Sequence, residues 1–261
     1  MDALSDTDIA GVPVHGPLPR PERPLRMFCL ALAWLVAASA AAWACLFVLR
    51  LVVGMHNGSP SGRAHAWQAG EPHSALLMLL VADVVLVFAG WRRGAAVGGG
   101  DARAGLGFGP IRRPGLLLAF ATLGEAAVFG WAVVVYLVLP PHDHGVISTL
   151  LTAISHASVL EQAATLFCAI VLSPLWEEFF FRGWLWTGLR RYWGALPVMV
   201  ATTIPWLALH MFDGLLRPLY LLPMGVMLCL ARRYCGGIRA SITLHVLNNL
   251  IAMWPVLLLH P

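Results

Sequence analysis

The stretch from Met27 to Leu49, MFCLALAWLVAASAAAWACLFVL, runs for about 23 residues without a charged side chain, and a bilayer needs about 20 residues of apolar helix. The AASAAAWA portion contains small-x-small sites of the kind a signal peptidase cuts. A signal peptide's apolar region spans only about 7 to 15 residues, however, so the segment reads as an uncleaved transmembrane helix. The whole chain has the same character. Over 261 residues it is 59% hydrophobic and 11% charged, with mean hydropathy +0.76, against about 25% charged in ordinary soluble domains. Six further apolar spans follow, approximately Ser74 to Trp91, Gly115 to Leu139, Glu161 to Arg182 continuing to Leu189, Ala195 to Phe212, Pro218 to Ala231 and Ala240 to Leu259. The expected fold is all-α, a polytopic transmembrane helix bundle of about seven spans, within a range of six to eight.

Charge sets the expected orientation. All seventeen basic residues are arginine. Arg20, Arg23 and Arg26, then Arg92, Arg93, Arg103, Arg112 and Arg113, then Arg190 and Arg191, then Arg232, Arg233 and Arg239 fall on alternate connections, and the other loops carry only Arg63 and Arg217. The positive-inside rule then places the amino terminus in the cytoplasm and, after seven crossings, the carboxyl terminus outside. The net charge of +4 is scattered through short connections, with no basic stripe to follow phosphates, so nucleic acid is excluded as a partner. Cys29, Cys45, Cys168, Cys229 and Cys235 are odd in number, mostly inside apolar runs and never spaced CxxC. Neither a disulfide framework nor a thiolate zinc site is expected. The Gly-rich loop GGG and AGLGFGPIRRPG contains no GxxxxGK[ST] pattern, which argues against phosphate cradling.

The chain divides accordingly. Residues 1–26 are a Pro-rich polar segment expected as a disordered cytoplasmic tail, and 27–139 hold three amino-terminal transmembrane helices. Residues 140–160 form an external loop in which Val146 to Ser158 is expected to lie along the interface. Residues 161–261 form the helical core that carries the chemistry. Ser158 and Glu161 have the spacing of a capping box at the start of the fourth span. No internal repeat is visible, which weakens a transporter built from inverted halves.

SPLWEEFFFRG, Ser173 to Gly183, puts three charges into an apolar helix. Glu178 and Arg182 stand one turn apart with the acid toward the amino end, the favourable order for an ion pair, and an unpaired charge in hydrocarbon costs several kcal/mol. Glu177 is left over, about 100° around the helix, and must face a cavity, a partner from another span, or carry a proton. The competing reading makes both acids part of a packing network with the arginine. Two later spans supply polar partners: WLALH sets Trp206 and His210 one turn apart, and HVLNN does the same for His245 and Asn249. Of ten histidines only His210 and His245 lie well inside spans. Glu, His, His and Asn together can bind and deprotonate a water and can donate to a developing oxyanion, the equipment for peptide hydrolysis.

The ordered set EExxxR, an aromatic followed by xxxH, and HxxxN, each on its own span, resembles the CPBP intramembrane proteases. That family includes type II CAAX prenyl endopeptidases and bacterial relatives tied to bacteriocin maturation and surface-protein sorting. The resemblance covers roughly Glu161 to Leu259 and departs at Trp206, where the family usually has Phe. It implies an intramembrane endopeptidase of a bacterial cytoplasmic membrane, acting on a membrane protein or lipidated peptide. Glu177 would be the general base, His210 would help to hold the water, His245 and Asn249 would polarise the carbonyl and stabilise its oxyanion, and Glu178 with Arg182 would support them. No cofactor is required in this reading, since HExxH is absent and Asn is a poor zinc ligand. Zinc held by Glu177, His210 and His245 is the alternative.

Rival functions remain on sequence grounds: a proton-coupled transporter using Asp83, Glu125 and Glu177 as a relay, or a catalytically silent immunity or scaffold membrane protein. Asp83 and Glu125, near the middles of the second and third spans, and Arg50, at the end of the first, are expected to pair among themselves, with lining of the substrate cavity as the alternative. His142, Asp143 and His144 are expected as a solvated loop. Straight helices at about 1.5 Å per residue put His245 about 9 Å, Glu177 about 21 Å and His210 about 28 Å from the cytoplasmic arginines. Convergence of the three therefore demands kinks, for which Pro174, Pro197 and Pro205 are available, or tilt.

Overall fold

In lipid a backbone can satisfy its polar groups internally as a helix, and the described residues take that solution. The computed structural model describes residues 22–56, 71–139 and 157–259, and among them there is no strand. The helices are α1 (Pro24–His56), α2 (Glu71–Val97), the short α3 (Ala102–Leu106), α4 (Pro114–Val138), α5 (Val159–Leu189), α6 (Ala195–Leu209), α7 (Arg217–Tyr234) and α8 (Ile238–Leu259). Seven of them lie where the seven apolar spans were expected. Three stretches, Pro24–Leu49, Pro114–Val138 and Val159–Leu189, are long and apolar enough to cross a membrane, and Ala195–Leu209 is a shorter apolar helix. Helix α1 begins at Pro24, within the last residues of the segment expected as tail. Residues 1–21 of that tail, Arg63, the His142–His144 cluster and residues 140–156 of the external loop lie outside the described residues, as does the side chain of Arg50.

Local chemistry fixes the helix ends. Ser158 and Glu161 form the expected capping box at the start of α5, and proline opens α4 and α7 in the first turn, where its missing N–H costs nothing. Between α7 and α8, Gly236 (φ +100) and Gly237 (φ +140) make a turn that side chains would strain. The space there is also taken: a Cβ on Gly236 would meet the Pro110 carbonyl at 2.5 Å.

Helix α5 is the axis of the bundle. Every residue from Glu177 to Leu189 is buried, while α1 and α4 leave long apolar faces exposed. Three stretches widen to π turns: Phe120–Gly124 in α4, and Cys168–Leu172 and Glu178–Leu185 in α5. The second stands directly before Pro174, which has no N–H to return to the preceding turn, so the ladder must shift there. These wide turns are one reason straight-helix counting misplaces Glu177, because they advance the chain less per residue than α turns. Helix α6 carries Pro205 and ends at Leu209, leaving His210 in a 3-10 turn, His210–Asp213.

One end of the bundle gathers the arginine-bearing connections. Arg191 Nη2 donates to the Val97 carbonyl at 2.7 Å, the Arg112 amide donates to the Cys235 carbonyl at 2.9 Å, and the Ile238 amide donates to that of Gly107 at 3.1 Å. The opposite end joins the close of α4 to the opening of α7: the Trp131 indole donates to the Leu219 carbonyl at 2.8 Å and the Tyr220 hydroxyl to that of Leu139 at 3.3 Å.

Candidate active site

Two adjacent glutamates on α5 receive opposite treatment. Glu178, fully buried, accepts from Arg182 Nη1 at 3.0 Å and meets His245 Nδ1 at 3.0 Å on the same oxygen. A carboxylate only accepts, so His245 carries its Nδ1 proton and presents Nε2 on the other side. Arg182, also fully buried, donates from Nη2 to the Gly225 carbonyl at 3.3 Å and lies 4.7 Å from the Trp206 ring centre. Beneath it, Arg232 Nε donates to the Arg182 carbonyl at 2.8 Å. Charges so deeply buried persist only when paired and hydrogen bonded, and here Glu178 and Arg182 compensate each other.

Glu177 is held by a neutral group instead. Its Oε2 accepts the indole N–H of Trp206 at 2.5 Å and stands 3.7 Å from His245 Nε2, too far for a direct hydrogen bond. Trp206 thus does more than provide an aromatic wall: its N–H, which Phe would lack, seats the carboxylate. Its ring centre lies 4.7 Å from that of His210 and 5.8 Å from that of His245, and its carbonyl is 2.9 Å from His210 Nδ1. That contact leaves His210 Nε2 as the free ring nitrogen, on a half-buried side chain.

The structure therefore brings Glu177, Glu178, Arg182, Trp206 and His245 into one contact network, with His210 attached through Trp206. Among the described residues Asn249 has no hydrogen bond within this network; its amide donates one N–H to the Ala169 carbonyl at 2.9 Å. One expectation is corrected. Asp83 and Glu125 do not pair with one another; each takes neutral donors from a different helix. Asp83 accepts from Ser173 Oγ at 2.9 Å and from the Trp176 indole at 2.8 Å, both on α5, and Glu125 accepts from Asn248 Nδ2 at 2.7 Å. The physical reason is proximity: each acid faces polar side chains of the central core rather than the other acid. Ser173, Trp176 and Asn248 were not singled out by sequence, although Asn248 stands inside HVLNN. Among the described residues no group of three or more His, Cys, Asp or Glu is gathered to hold a metal; Nδ1 of His210 is engaged by the Trp206 carbonyl and Nδ1 of His245 by Glu178, which leaves Nε2 of each facing the site.

Residues 159–251 match a family model, the Type II CAAX prenyl endopeptidase Rce1-like domain. The matched segment is similar to that family, consistent with the CPBP resemblance, and together with the long apolar helices it suggests an integral membrane protein. No curated protein matches the chain, and no solved structure does. The match begins at the first residue of α5 and ends within α8, so it takes in all of the contact network and none of α1 to α4.

Proposed function

We propose that this chain, whose residues 159–251 carry the Rce1-like domain, is an intramembrane endopeptidase that hydrolyses a peptide bond of a membrane protein or lipidated peptide with water activated by Glu177. One observation carries the reading. Glu178 neutralises Arg182 and fixes His245, while Glu177, one residue away, faces His245 Nε2 across 3.7 Å with no such duty.

The chemistry follows from who holds which proton. Water bound between Glu177 and His210 Nε2 gives a proton to Glu177 as its oxygen attacks the scissile carbonyl carbon. The carbonyl π electrons move to oxygen, and a donor at His245 Nε2 stabilises that oxyanion. To donate there while Nδ1 donates to Glu178, the ring carries both protons, and once Glu177 has taken the water's proton the oxyanion together with Glu178 balances His245 and Arg182. Collapse breaks the C–N bond, and Glu177 returns its proton to the departing amine. Asn249 has one N–H engaged by Ala169 and a second with which to donate to the same oxyanion. No metal is needed for any of these steps.

The arginine alternation supports seven crossings with the amino terminus on the cytoplasmic side, since the arginine-bearing connections share one end of the bundle. The test is cleavage by purified full-length protein of an internally quenched peptide ending in a farnesylated Cys-aliphatic-aliphatic-X sequence, and of candidate membrane proteins co-expressed with it. Wild type should cleave at least one and Glu177→Ala none. Equal cleavage by the two would overturn the assignment.

A further inference from the structure

HVLNN contains two adjacent amides, and the structure sends them to different helices. Asn249 donates to the Ala169 carbonyl of α5 at 2.9 Å, and Asn248 donates to Glu125 Oε2 of α4 at 2.7 Å. Both acceptors stand at irregular turns: Ala169 lies inside the π stretch Cys168–Leu172, and Glu125 immediately follows the π stretch Phe120–Gly124. Helix α8 is thus tied on two sides, one turn beyond His245, at a point where a rotation about its axis would swing His245 Nε2 away from Glu177. Glu125 is 3% exposed and Asn248 7%. The second carboxylate oxygen of Glu125 is buried with no hydrogen-bond partner, so its bond to Asn248 is the one that accounts for the acid. Glu125 also lies within electrostatic reach of His245. A buried carboxylate with a single neutral partner is expensive in an apolar bundle, and simple packing would have been served better by an apolar side chain.

We infer that Glu125, on a helix outside the Rce1-like segment, is a positioning residue for the peptidase: through Asn248 it sets the rotation of α8 and hence the aim of His245. The inference rests on the endopeptidase reading above. On this account the bond matters and its polarity does not. Asn248→Asp places two carboxylates face to face, whereas the swapped pair Glu125→Gln with Asn248→Asp restores a hydrogen bond of reversed direction in nearly the same volume.

The experiment measures kcat and KM of full-length wild type, Glu177→Ala, Glu125→Gln, Asn248→Asp and the swapped double variant on the farnesylated quenched peptide, with thermal unfolding of each in detergent. Neighbours sharing one hydrogen bond couple strongly, so Asn248→Asp should lose about tenfold or more in kcat with KM within about twofold, and the swap should recover most of that loss. Glu125→Gln alone retains an acceptor for Asn248 and should stay within about threefold of wild type. A swapped variant no better than Asn248→Asp, or an Asn248→Asp whose kcat is unchanged, overturns the positioning role while wild-type cleavage sensitive to Glu177→Ala leaves the peptidase reading standing. Absence of Glu177-dependent cleavage overturns both. If Asn248→Asp fails to fold, a folded swapped variant with wild-type kcat supports the inference, and a folded but inactive one overturns it.

Discussion

Glu177 and Glu178 are adjacent and chemically identical, yet the structure gives their substitution by Gln opposite consequences. Glu178→Gln removes the charge that faces both Arg182 Nη1 and His245 Nδ1 at 3.0 Å in a fully buried position. Breaking a buried ion pair by removing one partner costs about 3–5 kcal/mol, because the other charge stays buried and uncompensated. For a chain of this size each kcal/mol lowers the unfolding midpoint by roughly 2–4 °C, so a drop on the order of 10 °C is expected. Glu177→Gln breaks no hydrogen-bonded ion pair: the amide oxygen still accepts the Trp206 N–H, and His245, 3.7 Å away, keeps Glu178 at its Nδ1, so stability should fall by only about 1 kcal/mol. Its activity is another matter: an amide takes no proton from water, and loss of a general base costs about 10²- to 10⁴-fold in rate. Thermal unfolding in detergent, followed by near-ultraviolet circular dichroism, together with cleavage of the quenched peptide, reads both effects on the same samples. Equal midpoint losses in the two variants, or cleavage by Glu177→Gln near the wild-type rate, would refute the division of labour.

Trp206→Phe keeps the ring beside Arg182 but removes the N–H that holds Glu177; a hydrogen bond to a charged group is worth about 1.5–3 kcal/mol, so kcat should fall about 10- to 100-fold with the fold intact, and an unchanged kcat would show that the indole does not seat the base. Asn249→Ala should fall about 10²- to 10³-fold as an oxyanion donor is lost, and a strong chelator should leave wild-type cleavage unchanged; chelator-sensitive, zinc-restored cleavage with stoichiometric bound zinc would reassign His210 and His245 as ligands. Gly225→Ala would push a Cβ within 2.9 Å of Thr203 Cγ2 and 3.0 Å of the Trp206 ring, so cleavage should drop sharply, and a fully active variant would show that this wall of the site yields freely. Reporter fusions after Arg93, Arg191 and Arg233 should read cytoplasmic and those near His142 and the carboxyl terminus external; an external signal after Arg191 would break the arrangement.

Sequence alone determined the all-helical class, the positions of seven long helices and the Glu178–Arg182 pair, because each follows from interactions local to one segment: run length against bilayer thickness, and side chains one turn apart. It also marked Glu177, by elimination, as the acid without a local cation. What it could not determine was which side chains of different helices meet. Counting along straight helices separated Glu177, His210 and His245 in depth, and only the π turns of α5, the early end of α6 at Leu209 and the packing of α8 bring Trp206 and His245 to Glu177. The same limit hid the partners of Asp83 and Glu125, which were expected to pair with each other and instead take Ser173, Trp176 and Asn248. Periodicity tells which way a residue points from its own helix axis, whereas the neighbour it meets depends on the rotation and depth of a second helix, and those are decided only when the whole bundle packs.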